Sequence, residues 1–477
     1  MLYVAKGHEY LHELQTMCQA FYPMERFTSV KKEELPFTKG LAIESFIEDE
    51  KCGAALYSDG VVIGRYTGEI EGGERASVKN SVYRVLGAYS GQKLAWGKFT
   101  GIRPTSLVHA KTGLSDEDIE TYLEKEFDMS RDKIALTMET ARAERKILAR
   151  GPGGFGLYVS IPFCPTRCLY CSFVSNDISK YYDKIDDYVA CLEKEARFTA
   201  GLGFNAPESV YVGGGTPTAL DAKTLDRTLG FLGETFDLSK TEELTVEAGR
   251  PDTITKEKLK TLKKRGVTRI AINPQTLDDR TLKAIGRGHT AESFIRAFNL
   301  AREMGFHNIN ADIIVGFDGE TADTVKRTMS VLAKLSPESV TVHTLAIKRA
   351  SRLRETLDGE NKSPGNFPKP DDMIAVARIS AKEMGLSPYY MYRQKNMVGQ
   401  FENVGYCKEG RECVYNVRMI SDGQTIISLG AGAVAKIYEP AENKLERVAN
   451  VKNADEYIAR FDEMIKRKEK FAGRFLG

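Results

Sequence analysis

The chain has 477 residues, 42% of them hydrophobic and 28% charged, a balance that excludes a mainly disordered protein. Lys and Arg number 68 against 66 Asp and Glu, a formal charge of +2, so nothing global points to nucleic acid. No apolar run approaches the roughly 18–20 residues of a membrane span. At about 100–200 residues per domain, two to four domains are expected. The opening MLYVAKGHEY carries Lys6, His8 and Glu9 and lacks the apolar centre of a signal peptide. A cytoplasmic protein is expected.

In chain order, CGAALYS and VVIGRYTG read as strands joined through Asp59-Gly60, a hairpin signal. In LSDEDIETYLEKEF, Ser115 can cap a helix with Asp118 three residues on, and Ile119, Tyr122, Leu123 and Phe127 share one face. The sole tryptophan, Trp96, sits in the basic stretch WGKFTGIRPTSLVHA, which reads either as a loop packed on the next domain or as a substrate-carboxylate site at Arg103. The run GPGGFG (151–156) continues neither a helix nor a strand well. It is taken as the end of an N-terminal α+β accessory domain, residues 1–150. The first 90 residues carry no functional signal.

A different rhythm follows. LYVSIP (157–162), SVYVGG (209–214), ELTVEA (243–248), VTRIAI (267–272), NADIIVG (310–316) and SVTVHTL (339–345) are short apolar strand candidates. Amphipathic stretches near 181–201, 221–235, 255–264, 291–303 and 321–335 separate them. Such alternation implies parallel βαβ units with right-handed crossovers. Six units favour a partly or fully closed (β/α)6 barrel over residues 151–350, with function at the strand C-terminal ends. Beyond residue 350, the loop KSPGNFPKP, a helix in DDMIAVARISAKEMG, mixed strands and turns, and a last helix near 455–468 suggest a small C-terminal α+β domain, 351–477.

The eight cysteines stand at 18, 52, 164, 168, 171, 191, 407 and 413, too sparse for a disulfide scaffold. Three of them, Cys164, Cys168 and Cys171, give C-x3-C-x2-C directly after the first barrel strand. A structural zinc site wants four ligands, usually as two pairs, and no second Cys/His pair lies nearby. Bacterial ferredoxin loops use another spacing. Three thiolates fit a [4Fe–4S] cubane with one iron left open to another ligand. One strand later, Gly213, Gly214 and Gly215 at a strand end let a ligand approach the backbone closely. Cys407 and Cys413 flank KEGRE and could be packing residues or a haem or metal pair.

Tyr158, IPFC, the cysteine loop, GGGTPT, VEAGRPD, INPQTLDDRTLKAIGRGH, NADIIVGFDGET and SVTVHTLA together resemble the oxygen-independent coproporphyrinogen III oxidase (dehydrogenase) family of radical S-adenosylmethionine (SAM) enzymes. WGKFTGIRPT and YYMYRQKNMVGQFENVGY…LGAGAVAK are similar to its longer branch, called HemZ. The resemblance implies the radical SAM partial (β/α)6 barrel, a [4Fe–4S] cluster on Cys164, Cys168 and Cys171, and S-adenosylmethionine as one molecule or two. It implies that Tyr158, Tyr170, Gly214, Gly215, Thr216 and Glu247 contact the first. Gln275, Arg287, Asp312 and Ala346 would then surround a second or neighbouring groups. Tyr158, Gln275, Arg287 and Asp312 are the catalytic candidates.

The implied reaction is oxidative decarboxylation of coproporphyrinogen III to protoporphyrinogen IX, in anaerobic haem biosynthesis. Its partners would be a tetrapyrrole substrate, an electron donor such as flavodoxin or ferredoxin, and an unidentified electron acceptor. Arg287, Lys348, Arg349, Arg352 and Arg393 are candidate cations for the substrate carboxylates, and the strand from Tyr389 to Asn396 either lines the pocket or packs. Two departures bear on the substrate. Decarboxylating relatives carry a further cysteine where this chain has Phe173, and often a histidine near the Ile-Pro that Ser160 precedes here. Relatives with an aromatic at the Phe173 position include haem-binding chaperones and anaerobic haem-degrading enzymes, the alternative functions.

Overall fold

The computed structural model describes the chain except residues 24, 38, 349, 360–369, 395–400, 443 and 471–477. Arg349, Asn396 and most of KSPGNFPKP therefore lie outside the described residues. Two compact units emerge. One holds Met1–Glu139 with Arg393, Gln394 and Phe401; the other holds the described residues of Thr140–Lys362, Asn366–Tyr392 and Glu402–Gly477. The division falls inside the helix Arg131–Leu148, ahead of the glycine run.

The first unit has a five-stranded sheet of Leu2–Lys6, Thr28–Ser29, Leu41–Glu48, Lys51–Ser58 and Val61–Glu69. The expected hairpin joins the last two at Asp59 (φ 50°) and Gly60 (φ 78°), the left-handed pair that a tight two-residue turn requires. Leu14, Met17, Val78 and Val82, from the helices Leu11–Phe21 and Glu74–Ser90, pack with Ile43, Ala54 and Leu56 of the sheet. Ser115 accepts from the Asp118 N–H and starts the helix Asp116–Phe127, which buries Ile119 and Leu123. Trp96 is buried, and the stretch after it folds into the short helix Thr105–His109.

In the second unit the six expected strands form β1 (Phe155–Ile161), β2 (Pro207–Gly214), β3 (Glu243–Glu247), β4 (Arg269–Ala271), β5 (Ile309–Val315) and β6 (Ser339–Thr344). Each is parallel to its neighbour in that order. The crossovers carry α1 (Ile185–Gly201), α2 (Ala222–Thr235), α3 (Lys256–Lys264), α4 (Asp279–Ala284), α5 (Ala291–Glu303) and α6 (Ala322–Leu335). Asp221, Thr255, Thr290 and Thr321 each accept from the backbone N–H three residues on, which fixes where α2, α3, α5 and α6 begin.

The segment after residue 351 differs from the expected separate domain. Its strands β7 (Ser387–Arg393), β8 (Glu402–Cys407), β9 (Ile426–Leu429), β10 (Val434–Glu439) and β11 (Lys444–Ala449) extend the barrel sheet on both sides. The order is β7-β8-β6-β5-β4-β3-β2-β1-β9-β10-β11. β8 runs antiparallel to β6, and β9 parallel to β1. Six strands leave two open margins with unpaired backbone groups, and these late strands cover them.

At the N-terminal end of the barrel strands, Arg269 is buried. It donates to Glu243 Oε2 at 2.9 Å, Ser339 Oγ at 3.1 Å and the Arg411 carbonyl at 2.6 Å. The Cys413 thiol donates to Glu243 Oε1 at 2.9 Å. Cys407 is buried opposite Ser339 at the same end. Both cysteines thus lie at the strand end opposite the motif loops. Tyr389 and Tyr390 are buried with them and Tyr415, in a cluster against which Tyr158 and Tyr211 pack.

Candidate active site

The motif residues collect where β1–β6 end. The cysteine loop leaves β1, and its start, Phe163–Cys164, pairs with Asn176–Asp177, pinning the two ends of the loop together. Cys164 Sγ lies 3.4 Å from Thr216 Oγ1, and Cys168 Sγ lies 3.8 Å from Arg250 Nη1. Burial pushes the Cys164 thiol up to about 11 and raises Cys171 as well. Thiols in that setting ionise when a cation takes them as ligands. Among the described residues no three His, Cys, Asp or Glu side chains gather as around one metal ion. A cubane offers its irons at separate corners, so its thiolates stand further apart than those of a zinc site.

The glycine run has little room for side chains. Gly214 has φ 108°. A Cβ on Gly215 would stand 2.6 Å from the Phe163 carbonyl oxygen, and one on Gly213 would stand 3.0 Å from the Glu247 carboxyl. Gly215 and Thr216 donate their N–H groups to the Ile161 and Phe163 carbonyls at 2.9 and 2.7 Å. The run is therefore stitched to the base of the cysteine loop.

Inside the barrel the Tyr158 ring stacks on Tyr211 and Tyr415, with centroids 6.2 and 6.1 Å away. The Tyr211 hydroxyl donates to Glu247 Oε1 at 2.7 Å. Burial pushes the Glu247 carboxyl up to about 7, with the Asp312 charge adding to it and the Tyr211 hydrogen bond opposing. Burial also presses on Asp312, but the nearby His343 and bonds from Asn310 and Thr341 outweigh it and hold the carboxyl below its ordinary range. His343 Nε2 lies 3.9 Å from Asp312 Oδ2.

Gln275 carries φ 65°, an uncommon conformation for a non-glycine residue and one that recurs at functional sites. Its backbone is tied to Asp312 and Ile314, while its buried Oε1 has no partner among the described residues. Arg287 donates to the Gly249 and Asn273 carbonyls at 3.2 and 2.9 Å, and its Nε is likewise unpaired. Tyr170 packs on Phe317 at 5.4 Å. Ala346 follows β6 and is half-buried.

The expected site residues thus fall on the cysteine loop and on the loops and ends that follow the barrel strands, except Tyr158 and Asp312, which lie midway along β1 and β5. Lys348 is half-buried and feels Cys171, whereas Arg352 is exposed. Arg393 belongs to the N-terminal unit. It donates to the Phe99 carbonyl at 2.6 Å and lies 5.2 Å from the Trp96 ring centroid. Tyr211, His343 and Arg250 were not singled out from the sequence. Tyr211 was legible, because period-two alternation puts it on the same strand face as Gly213.

A model of the radical SAM superfamily matches residues 158–332. The oxygen-independent coproporphyrinogen-III oxidase-like protein HemZ of Bacillus subtilis (strain 168) is 38% identical over 410 residues, spanning 83% of this chain and 81% of that protein. This chain belongs to the radical SAM superfamily, in its HemZ-type branch. The heme chaperone HemW of the same organism is 30% identical over 281 residues, covering 58% of this chain and 69% of its own. The fold matches that of HemN, the coproporphyrinogen III oxidase of Escherichia coli, with a TM-score of 0.51 and 21% identity over 68% of this chain and 73% of HemN. Radical SAM enzymes use a [4Fe–4S] cluster and S-adenosylmethionine. The residues present fit both groups: three thiols on one pinned loop, and beside them a backbone cradle that a Cβ would fill. No helix among the described residues is long and apolar enough to cross a membrane.

Proposed function

We propose that this chain oxidatively decarboxylates coproporphyrinogen III to protoporphyrinogen IX. The observation that carries the reading is the 38% identity to HemZ, an oxidase-like protein, across most of both chains. Bound, the cluster and S-adenosylmethionine supply a 5′-deoxyadenosyl radical. Cys164, Cys168 and Cys171 would hold the cluster, and Gly214, Gly215, Thr216, Glu247, Tyr158 and Tyr170 would orient the nucleoside and methionine. The unpaired Gln275 and Arg287 atoms, with Asp312 and Ala346, would suit a second S-adenosylmethionine or its neighbours.

A substrate propionate would give up a hydrogen atom from its β-carbon to that radical. Loss of carbon dioxide and of one electron to an acceptor then leaves a vinyl group. A second round converts a second propionate. Arg287 and Lys348 would be candidate cations for the substrate carboxylates. A flavodoxin- or ferredoxin-type donor would reduce the cluster.

Haem binding is the second reading. It is favoured by the 30% identity to the heme chaperone HemW and by Phe173, an aromatic that is 69% exposed just after the third cysteine. Mass spectrometry separates the two, after anaerobic incubation of the reconstituted protein with S-adenosylmethionine, a strong reductant and coproporphyrinogen III. Stepwise loss of two carboxyl groups with 5′-deoxyadenosine is expected. Unchanged porphyrinogen, together with stoichiometric haem uptake in a parallel sample, would move the assignment to haem binding.

A further inference from the structure

Arg250 stands in the VEAGRPD turn after β3 and is 2% exposed. Asp252 grips it with two parallel bonds, Nε to Oδ1 and Nη2 to Oδ2, each 3.0 Å. This planar fork fixes the guanidinium in a way a lysine cannot copy. It also aims Nη1 at the cysteine loop. There Nη1 meets the Thr166 carbonyl at 3.2 Å, Thr166 Oγ1 at 3.1 Å and Cys168 Sγ at 3.8 Å. The neighbouring loop leaves space for the fork, since a Cβ on Gly288 would lie 3.1 Å from Asp252 Oδ2 and 3.2 Å from Arg250 Nη2. Arg167, Arg287 and Lys348 are felt by Cys171, whereas Arg250 faces Cys168 and Cys164.

We propose that Arg250, locked by Asp252 against the Cys168 sulfur, sets the reduction potential of the cluster. Reduction adds negative charge to a cluster already bound by three thiolates. A buried guanidinium touching one of those sulfurs stabilises the reduced form, as hydrogen bonds to cluster sulfurs do in general. Asp252 has two effects: it orients the cation and offsets part of its charge. The inference rests on the family's cluster and is independent of which tetrapyrrole is the substrate.

The test is a potentiometric titration, followed by electron paramagnetic resonance, of the reconstituted full chain and three variants. Arg250→Gln should lower the ratio of reduced to oxidised cluster about tenfold at a fixed solution potential, equivalent to about 59 mV for a one-electron couple. Arg250→Lys keeps the charge and should shift the ratio less. Asp252→Asn removes a negative charge and loosens the fork, two opposed effects, so its shift should be smaller than that of Arg250→Gln. Wild-type potential in an Arg250→Gln protein that carries its full iron complement overturns the proposal. So does an Arg250→Lys shift as large as that of Arg250→Gln, which would mark Arg250 as a loop strut. Should Arg250→Gln fail to take up iron, Arg250→Lys decides: a potential below wild type supports the proposal, because lysine cannot copy the fork, and an unchanged or higher potential overturns it.

Discussion

At the N-terminal end of the barrel strands, Arg269 divides its guanidinium among Glu243, Ser339 and the Arg411 carbonyl, and the Cys413 thiol completes Glu243. At the C-terminal end, Gln275 Oε1 and Arg287 Nε are buried without partners among the described residues, Gln275 has a left-handed backbone, and Glu247 is pushed up to about 7. The same six strands carry both ends. At one end Arg269, Glu243 and Cys413 satisfy one another. The other end leaves donors and acceptors for a ligand at some cost in stability.

Four substitutions would break or sharpen this contrast. Cys164→Ala should abolish the visible absorbance of the reconstituted cluster and all cleavage of S-adenosylmethionine; full cleavage by this variant would sink the cofactor assignment to this loop. Arg269→Ala, at the opposite end, should destabilise the fold by about 3–5 kcal/mol, because it strands the buried Glu243. Urea unfolding reads that loss, while S-adenosylmethionine affinity of the folded fraction should hold. Gly215→Ala drives a methyl against the Phe163 carbonyl and should cost about 1–3 kcal/mol of local strain. Its signature is a fall of about tenfold or more in S-adenosylmethionine affinity by calorimetry, and wild-type affinity would remove the glycine run from the binding site.

The last substitution concerns Glu320, whose Oε1 accepts from Thr276 at 2.6 Å beside the strained Gln275. Burial pushes its carboxyl from its ordinary value near 4.5 up to about 7, against the Thr276 bond. The folded state therefore holds a proton that the unfolded state releases. Its contribution to stability is complete below about pH 4.5 and is lost as pH rises to about 7. Glu320→Gln cannot ionise, so its stability relative to wild type should climb across that window and then level. A difference independent of pH would show that Glu320 does not titrate there.

Much of this was legible where local chemistry decides. Asp221, Thr255, Thr290 and Thr321 announce their helices because a short oxygen-bearing side chain satisfies a bare N–H. The six barrel strands stand out because both of their faces are covered. C-x3-C-x2-C followed by Gly213–Gly215 marked the loop and the cradle. What escaped depends on distant partners. Nothing near Ile426–Leu429 says that it lies beside β1, and nothing near Glu402–Cys407 says that it lies beside β6. Arg393 reads as a free cation until the Trp96 ring is seen under it. Arg250 reads as one more arginine until Asp252 turns it toward a sulfur.

The sheet order also governs how the chain folds. β1 emerges some 270 residues before its outer neighbour β9, and β6 about 60 residues before β8. Until the last fifth of the sequence is made, a nascent six-strand sheet exposes two long edges able to pair with any other chain. Contacts so far apart in sequence form slowly, and exposed edges recruit neighbours during that wait. Shortening the chain from its C-terminus before β9 should therefore yield insoluble aggregate rather than a smaller working barrel, and slowed synthesis at low temperature should favour the intact protein.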